Sequence, residues 1–193
     1  MLSAALLLLG YLAGSIPFGV LLTRWVRGVD VRQSGSGNIG ATNVTRVAGK
    51  KLGAVVLVLD ALKGALAVGL ALWLLPGEPR MHAAVGLAAF LGHVYPVWLK
   101  LQGGKGVATA LGVLVVLVPL AALSAAFVYA GLVAAWRVSS VGSLAGGVTA
   151  VIVAALTAPS LEYAGLSALL FVLILWTHRG NIHRLLRRTE RRF

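Results

Sequence analysis

Residues Ser34-Gly35-Ser36-Gly37-Asn38-Ile39-Gly40-Ala41-Thr42-Asn43-Val44-Thr45-Arg46 combine glycines, hydroxyls and amides, contain no acid, and end on an arginine. Glycines let successive backbone N–H groups turn toward one point, and such a concavity binds anions, phosphate above all. Serine hydroxyls and asparagine amides add donors without bulk, and a guanidinium grips two phosphate oxygens at once. Ser34, Gly35, Ser36, Gly37, Asn38, Asn43 and Arg46 are therefore candidate phosphate-binding residues, with Arg24, Arg27, Lys50 and Lys51 adding positive charge nearby. Two shorter stretches share this chemistry. Lys100-Leu101-Gln102-Gly103-Gly104-Lys105-Gly106 offers Gly103, Gly104, Lys105 and Gly106, and Arg137-Val138-Ser139-Ser140-Val141-Gly142-Ser143 offers Ser140 and Ser143. His178, followed by Arg179 and Asn181, sits at the end of an apolar run, where a titratable group is placed for acid–base work.

Several familiar motifs are imitated without their context. Gly35-Ser36-Gly37-Asn38-Ile39-Gly40 matches G-x-G-x-x-G with Asp60 beyond it, but no strand precedes it and Asp60 lies inside a membrane-length apolar run. Gly103-Gly104-Lys105-Gly106 is not a Walker A loop, because Leu99 replaces the first glycine and Gly106 the Ser/Thr. Neither the His-x-x-x-x-Asp of common glycerolipid acyltransferases nor a G-x-S-x-G elbow is present. The acids are scattered, so no cluster is expected to hold Mg²⁺, and neither a metal nor another cofactor is expected. Asp60 and Lys63, one helical turn apart, read either as an ion pair facing the bundle interior or as site-lining groups. His93 reads as a packing or hydrogen-bonding residue, and the tail arginines Arg187, Arg188, Arg191 and Arg192 as an anchor on anionic lipid.

The elements that must position these groups are greasy. Of 193 residues, 59% are hydrophobic and 11% charged, against about 25% charged in soluble domains. An all-α, polytopic membrane bundle is expected, with residues 1–193 forming a single domain. Lys and Arg number 17 against 5 Asp and Glu. In a membrane protein that excess is explained by positive-inside loops touching lipid rather than by nucleic acid. The absence of cysteine excludes disulfides and thiolate chemistry. The first segment lacks a basic n-region and is not read as a cleavable signal peptide.

Apolar runs at 1–23, 53–75, 81–98, 107–136, 144–157 and 161–176 are separated by polar loops at 24–52, 99–106 and 137–143 and by turns around Pro76 and Pro159. The 107–136 run is read as two short helices meeting near Pro119, which brings the total to about seven transmembrane helices at roughly 20 residues each. Gly14-Ser15-Ile16-Pro17-Phe18-Gly19 predicts a kink or close packing within the first. The loops at 24–52, 99–106 and 136–143, with the tail, collect nearly every cation, and the opposite side has only Arg80. Positive-inside then places the N-terminus outside and the C-terminus in the cytoplasm, with all three Gly/Ser loops and His178 on that face.

The segments 34–46, 92–109 (Gly92-His93-Val94-Tyr95-Pro96 through Thr109) and 178–184 (His178-Arg179-Gly180-Asn181-Ile182-His183-Arg184) resemble the three signature motifs of the bacterial PlsY family, the acyl-phosphate:glycerol-3-phosphate acyltransferases. The resemblance runs the length of the chain and includes residues 14–19 and 60–64. It departs at Gly180, in a variable place, and at Gln102, where an aromatic or basic residue is common.

The resemblance implies a seven-span inner-membrane enzyme facing the cytoplasm. It would transfer a fatty acyl group from acyl phosphate to the 1-hydroxyl of glycerol 3-phosphate, giving lysophosphatidic acid and phosphate without acyl-CoA or acyl carrier protein. An acyl phosphate already has a good leaving group. Such an enzyme mainly gathers two anions, aligns the hydroxyl and stabilises developing charge. Lys105, His178 and Asn181 are the candidate catalytic residues, and either His178 or the substrate's own phosphate takes the hydroxyl proton. Membrane lipids are the other expected partners. A transporter of a phosphorylated solute or lipid is the competing reading; it would predict repeat symmetry and broken helices at the midplane, and no repeat is evident.

Overall fold

Long Leu/Ala/Val runs punctuated by Gly and Pro favour helices that end at those breaks. The computed structural model describes residues 1–193 and contains ten α-helices, two 3-10 turns and no strand. α1 (Leu2–Ser15) and α2 (Phe18–Arg27) are separated at Pro17, because the residue before a proline is pushed out of the helical region; Ile16 is extended, at φ −61° and ψ 116°. The kink expected from residues 14–19 is therefore a true break. α3 (Ala41–Ala48) and α4 (Lys50–Leu74) follow, then α5 (Pro79–Val94), which has a proline in its first turn. α6 (Val107–Leu117) and α7 (Pro119–Trp136) meet at Pro119 as expected. α8 (Ser139–Thr157), α9 (Leu161–Thr177) and α10 (Arg179–Leu186) complete the chain, with α10 bent 61° from α9 at His178.

Five stretches are long and apolar enough to cross a membrane: Leu2–Arg27, Lys50–Leu74, Pro79–Leu99, Pro119–Trp136 and Ser139–Thr157. The bent pair α9–α10 makes a sixth, while α6, at 11 residues, is shorter than a crossing requires. Large apolar side chains such as Leu66, Phe127 and Leu156 stand exposed on the outer faces, as lipid-facing residues do.

Two expected loops are largely helical. Residues 24–52 hold the end of α2, all of α3 and the start of α4. α3 forms because it can bury Val44 and Ala48 against Val20, Val31 and Val56. The third loop is in fact the first turn of α8, and the tail begins with α10.

α7 packs along α8, α1 along α5, and α4 along α6. Small residues permit these approaches: a Cβ on Gly14 would collide with the Ala89 carbonyl, and one on Gly112 with the Ala61 carbonyl. The main core gathers around Phe90, Val113, Leu117, Leu166 and Leu170. Inside the bundle, Lys63 Nζ lies 2.8 Å from Asp60 Oδ1 and donates to the Ile16 carbonyl at 3.0 Å, an oxygen that the α1–α2 break leaves without its helical partner. The structural ion-pair reading of these two residues is thus realised.

Candidate active site

A cavity of about 440 Å³ opens where α3, the 100–106 loop, the first turns of α6 and α8, and the α9–α10 bend converge. Its polar end is bounded by residues from all three stretches singled out in the sequence. Its other end is apolar, lined by Leu111 and Leu114 of α6, Ala125 and Ala126 of α7, and Gly146, Gly147 and Ala150 of α8.

The first stretch is organised by Asn43, which is 1% exposed. Its Nδ2 donates to the carbonyls of Val31, Ser34 and Asn38 at 2.9–3.0 Å, and its Oδ1 accepts from Ser36 N at 2.8 Å. Both N–H groups of that amide, one of them shared between two carbonyls, are spent on folding the loop, although the residue borders the cavity. Asn38 Oδ1 accepts from Gly40 N at 2.9 Å, the turn that launches α3. Upstream, Asp30 caps the 3-10 turn Val31–Gln33 and pairs with Arg24 and Arg32, each at 2.6 Å. The hydrogen bonds from Arg32 hold its carboxyl far below the usual carboxylate range. Ser36, Asn38, Asn43 and Arg46 border the cavity, whereas Ser34, Gly35 and Gly37 shape the loop behind it.

The second stretch is pinned to the end of α5: Gly103 N donates to Val94 O and Gly104 N to His93 O, both at 3.0 Å. Gly106 begins α6 at φ +81°, a left-handed conformation that favours glycine. Thr177 Oγ1 donates to the Lys105 carbonyl at 3.1 Å, and Lys105 Nζ donates to Asn181 Oδ1 at 2.5 Å. Burial pushes the Lys105 ammonium down to about 8, the charges of Arg184 and Arg46 push the same way, and Glu190 opposes them. Lys105 and Gly106 border the cavity; Gly103 and Gly104 lie behind them.

Ser140 and Ser143 stand on the first turns of α8, where unpaired backbone N–H groups also point outward. Ser143 Oγ donates to Ser139 O at 3.0 Å. Ser139 Oγ lies 2.9 Å from Thr42 Oγ1 and 3.0 Å from the Tyr129 hydroxyl, tying α8 to α3 and α7. At the α9–α10 bend, His178 is 2% exposed and its Nδ1 lies 2.9 Å from the Ile174 carbonyl. A carbonyl accepts only, so Nδ1 carries the proton and Nε2 is left as an acceptor. Burial lowers the His178 pKa to about 4, aided by the Lys105 charge, so the ring is neutral near pH 7.

Glu190, Arg191 and His93, none of them assigned to the site from sequence, also border the cavity. Glu190 accepts from Asn181 Nδ2 at 2.5 Å, Arg184 Nε at 2.7 Å and Ser140 Oγ at 3.0 Å. Burial favours its protonated form, but these hydrogen bonds prevail and hold its pKa below the usual value. Arg191, expected on lipid, instead donates to the Gly35 carbonyl and accepts from Arg46 Nη2 on its own carbonyl at 3.3 Å. The Arg46 guanidinium also lies 5.3 Å from the centre of the Phe193 ring, so the tail folds back over the first loop. Asp60 and His93 border the cavity from below, which adds the site-lining role to the ion pair of Asp60.

The family described as glycerol-3-phosphate acyltransferase matches residues 4–188. A glycerol-3-phosphate acyltransferase of Myxococcus xanthus (strain DK1622) is 78% identical over 192 residues, covering 100% of both chains. That of Anaeromyxobacter sp. (strain Fw109-5) is 54% identical over 197 residues, covering 99% of this chain and 96% of its own. Among solved structures, PlsY, an integral membrane glycerol 3-phosphate acyltransferase in its glycerol 3-phosphate form, superposes with a TM-score of 0.95 at 39% identity. Its lysophosphatidic acid form gives 0.93 at 38%, and both alignments cover 100% of this chain and 96% of the other.

Proposed function

The chain belongs to the glycerol-3-phosphate acyltransferase family, and on that premise we propose that it transfers a fatty acyl group from acyl phosphate to the 1-hydroxyl of glycerol 3-phosphate, giving lysophosphatidic acid and phosphate. The observation that carries this reading is that one and the same cavity has a cationic, donor-rich end and an apolar end. The two phosphates sit among Lys105, Arg46, Ser140, Ser143 and the glycine loops, and the acyl chain lies along α6, α7 and α8.

The hydroxyl oxygen attacks the acyl carbonyl carbon, the bond from that carbon to the phosphate oxygen breaks, and phosphate departs. Lys105 and Arg46 stabilise the charge that grows on the carbonyl oxygen and the leaving phosphate. Asn181 holds the Lys105 ammonium in place. His178 Nε2 accepts from the attacking hydroxyl and aligns it. A ring with a pKa of about 4 is a weak base, so the proton ends on a phosphate oxygen, which titrates nearer neutrality.

Mixed-anhydride chemistry of this kind needs no metal. The one carboxylate at the polar end among the tail residues, Glu190, already accepts from three donors. The chain is read as one domain in the bacterial inner membrane, crossing about seven times if the short α6 is counted with the six longer stretches, and with the site facing the cytoplasm, because the cationic segments gather at the cavity end.

Purified protein in detergent, given glycerol 3-phosphate and either acyl phosphate or acyl-CoA, tests the donor. Lysophosphatidic acid and phosphate should appear in equal amounts from acyl phosphate alone, with or without EDTA. Product from acyl-CoA only would overturn the donor, and loss in EDTA restored by Mg²⁺ would overturn the metal-free chemistry.

A further inference from the structure

Beneath the 100–106 loop lies a polar cluster that the proposed chemistry does not use. Asp60 and Lys63 come from α4 and His93 from the end of α5, and all three side chains are at most 4% exposed. Buried ionisable groups in a membrane bundle are costly and tend to be retained for a function. His93 Nδ1 lies 3.5 Å from Asp60 Oδ1, a close polar contact without hydrogen-bond geometry, and neither buried atom has a hydrogen-bond partner.

The opposite edge of the ring faces the loop. A Cβ added to Gly104 would fall on His93 Nε2, with Cδ2 and Cε1 next nearest at 2.9 Å. The backbone of Gly104 thus rests on the imidazole, while its N–H donates to the carbonyl of the same histidine at 3.0 Å. Lys105 is the next residue. The imidazole is therefore clamped between a carboxylate fixed by Lys63 and the turn that aims Lys105.

We infer that Asp60 and His93 are positioning residues: the imidazole seated against Asp60 forms the platform that sets the Gly103–Gly104 turn, and through it the place of the Lys105 ammonium in the cavity. The cluster reaches further still, since Lys63 Nζ also holds the Ile16 carbonyl at the α1–α2 break. The helix break, the ion pair, the imidazole and the phosphate-facing lysine form one continuous chain of contacts. A glycine at 104 is required because the platform leaves no room for a side chain. The inference rests on the proposed acyl transfer only for its readout.

Size complementation tests it. Gly104→Ala should lift the turn and lower kcat/KM by at least about tenfold, the scale of one misplaced charge-assisted contact. His93→Ser alone should lower it by about fivefold or more, because the turn loses its support. Combined, the two should be less impaired than the product of the single effects, because the new methyl fills the space vacated by the ring. His93→Asn, which keeps a polar group facing Asp60 and leaves the Asp60–Lys63 pair intact, should raise the KM of the same substrate whose KM rises in Lys105→Met. The other substrate's KM should stay within about twofold.

Effects of Gly104→Ala and His93→Ser that simply multiply would overturn the inference, as would a fall in kcat with both KM values unchanged in His93→Asn. Unfolding temperatures in detergent accompany each variant, and a loss of activity that tracks loss of fold counts against it. Inactive wild-type protein under the donor assay would instead strike at the acyl-transfer reading, and inorganic phosphate binding by the same variants then reads out the platform.

Discussion

Lys105 Nζ and Asn181 Oδ1 meet at 2.5 Å although the residues are 76 positions apart, one in the loop before α6 and the other on the first turn of α10. Asn181 then donates from its other end to Glu190. A cation, an amide and a carboxylate form a row along the polar edge of the cavity, and the amide is oriented by both of its neighbours. The ammonium is held in place before any substrate arrives, which is the arrangement that stabilises developing charge at least reorganisation cost.

Lys105→Ala should leave the protein folded and lower kcat/KM by at least about tenfold, since losing one partner of a charge-assisted contact costs about 1.5–3 kcal/mol. Steady-state kinetics beside an unfolding curve in detergent checks both halves. Near-normal turnover would remove Lys105 from the site.

The depressed Lys105 pKa gives activity and stability opposite signs in one pH window. The working form is the ammonium, so activity should fall as pH rises through about 8. Between about 8 and the unfolded value near 10.4, the unfolded lysine still holds the proton that the folded one has lost. The unfolded state then binds more protons, and this group's contribution to stability rises with pH over the same interval. Glu190 raises the Lys105 pKa, so Glu190→Gln should move the alkaline limb of the rate profile downward. A limb that stays in place would disconnect it from Lys105.

The three stretches that meet at the cavity are legible in the sequence because their chemistry is local: glycines, hydroxyls and one cation within a few residues. The sequence also pointed to a kink or close packing at residues 14–19, where the helix in fact breaks at Pro17, and to the junction at Pro119, where proline geometry decides. Glu190 escaped because its partners Ser140, Asn181 and Arg184 lie 50, 9 and 6 residues away, a grouping that only the fold assembles. The start of α8 was misread as a loop because serines and glycine suggest one. There the hydroxyls are spent instead, Ser143 on the Ser139 carbonyl and Ser139 on Thr42 and Tyr129, so they no longer compete with the helix. Arg191 looks like its neighbours Arg187, Arg188 and Arg192, since a run of arginines does not say which one folds back.

The apolar arm of the cavity should measure the acyl chain. From Ser140 to Ala150 along α8 is roughly 15 Å of helix rise, the length scale of a fatty acyl group. Ala150→Leu adds bulk at the far end, where Ala150 lines the cavity together with Leu114 and belongs to the same core. It should lower kcat/KM for long-chain acyl phosphates by about tenfold while leaving a short-chain donor within about threefold, as overpacking of about 1–3 kcal/mol predicts. Equal losses for both chain lengths would place the acyl group elsewhere.

A reporter fused after Phe193 should register the cytoplasm, because cationic segments and the cavity occupy the same end of the bundle. A periplasmic signal would reverse the orientation and with it the side from which both substrates arrive.

His178 decides how the hydroxyl is handled. Its Nδ1 proton is committed to the Ile174 carbonyl at 2.9 Å, so only Nε2 can meet the substrate, and burial has lowered its pKa to about 4. A base that weak gains little from proton transfer at neutral pH, whereas positioned acid–base catalysis by a matched group is typically worth about 10²–10⁴-fold. If His178 aligns the hydroxyl, a limb near neutrality belongs to the substrate phosphate and should persist in both variants, because the ring itself stays neutral down to about 4. His178→Ala removes the acceptor and should lower kcat and raise the KM for glycerol 3-phosphate together. His178→Gln offers a carbonyl oxygen at similar reach, so it should keep much of kcat while the KM rises. Measuring kcat and KM separately for the two variants across pH separates the roles. A glutamine variant as inactive in kcat as the alanine variant, with a wild-type limb near neutrality that both lose, would make His178 the base and return the proton from the substrate phosphate to the enzyme.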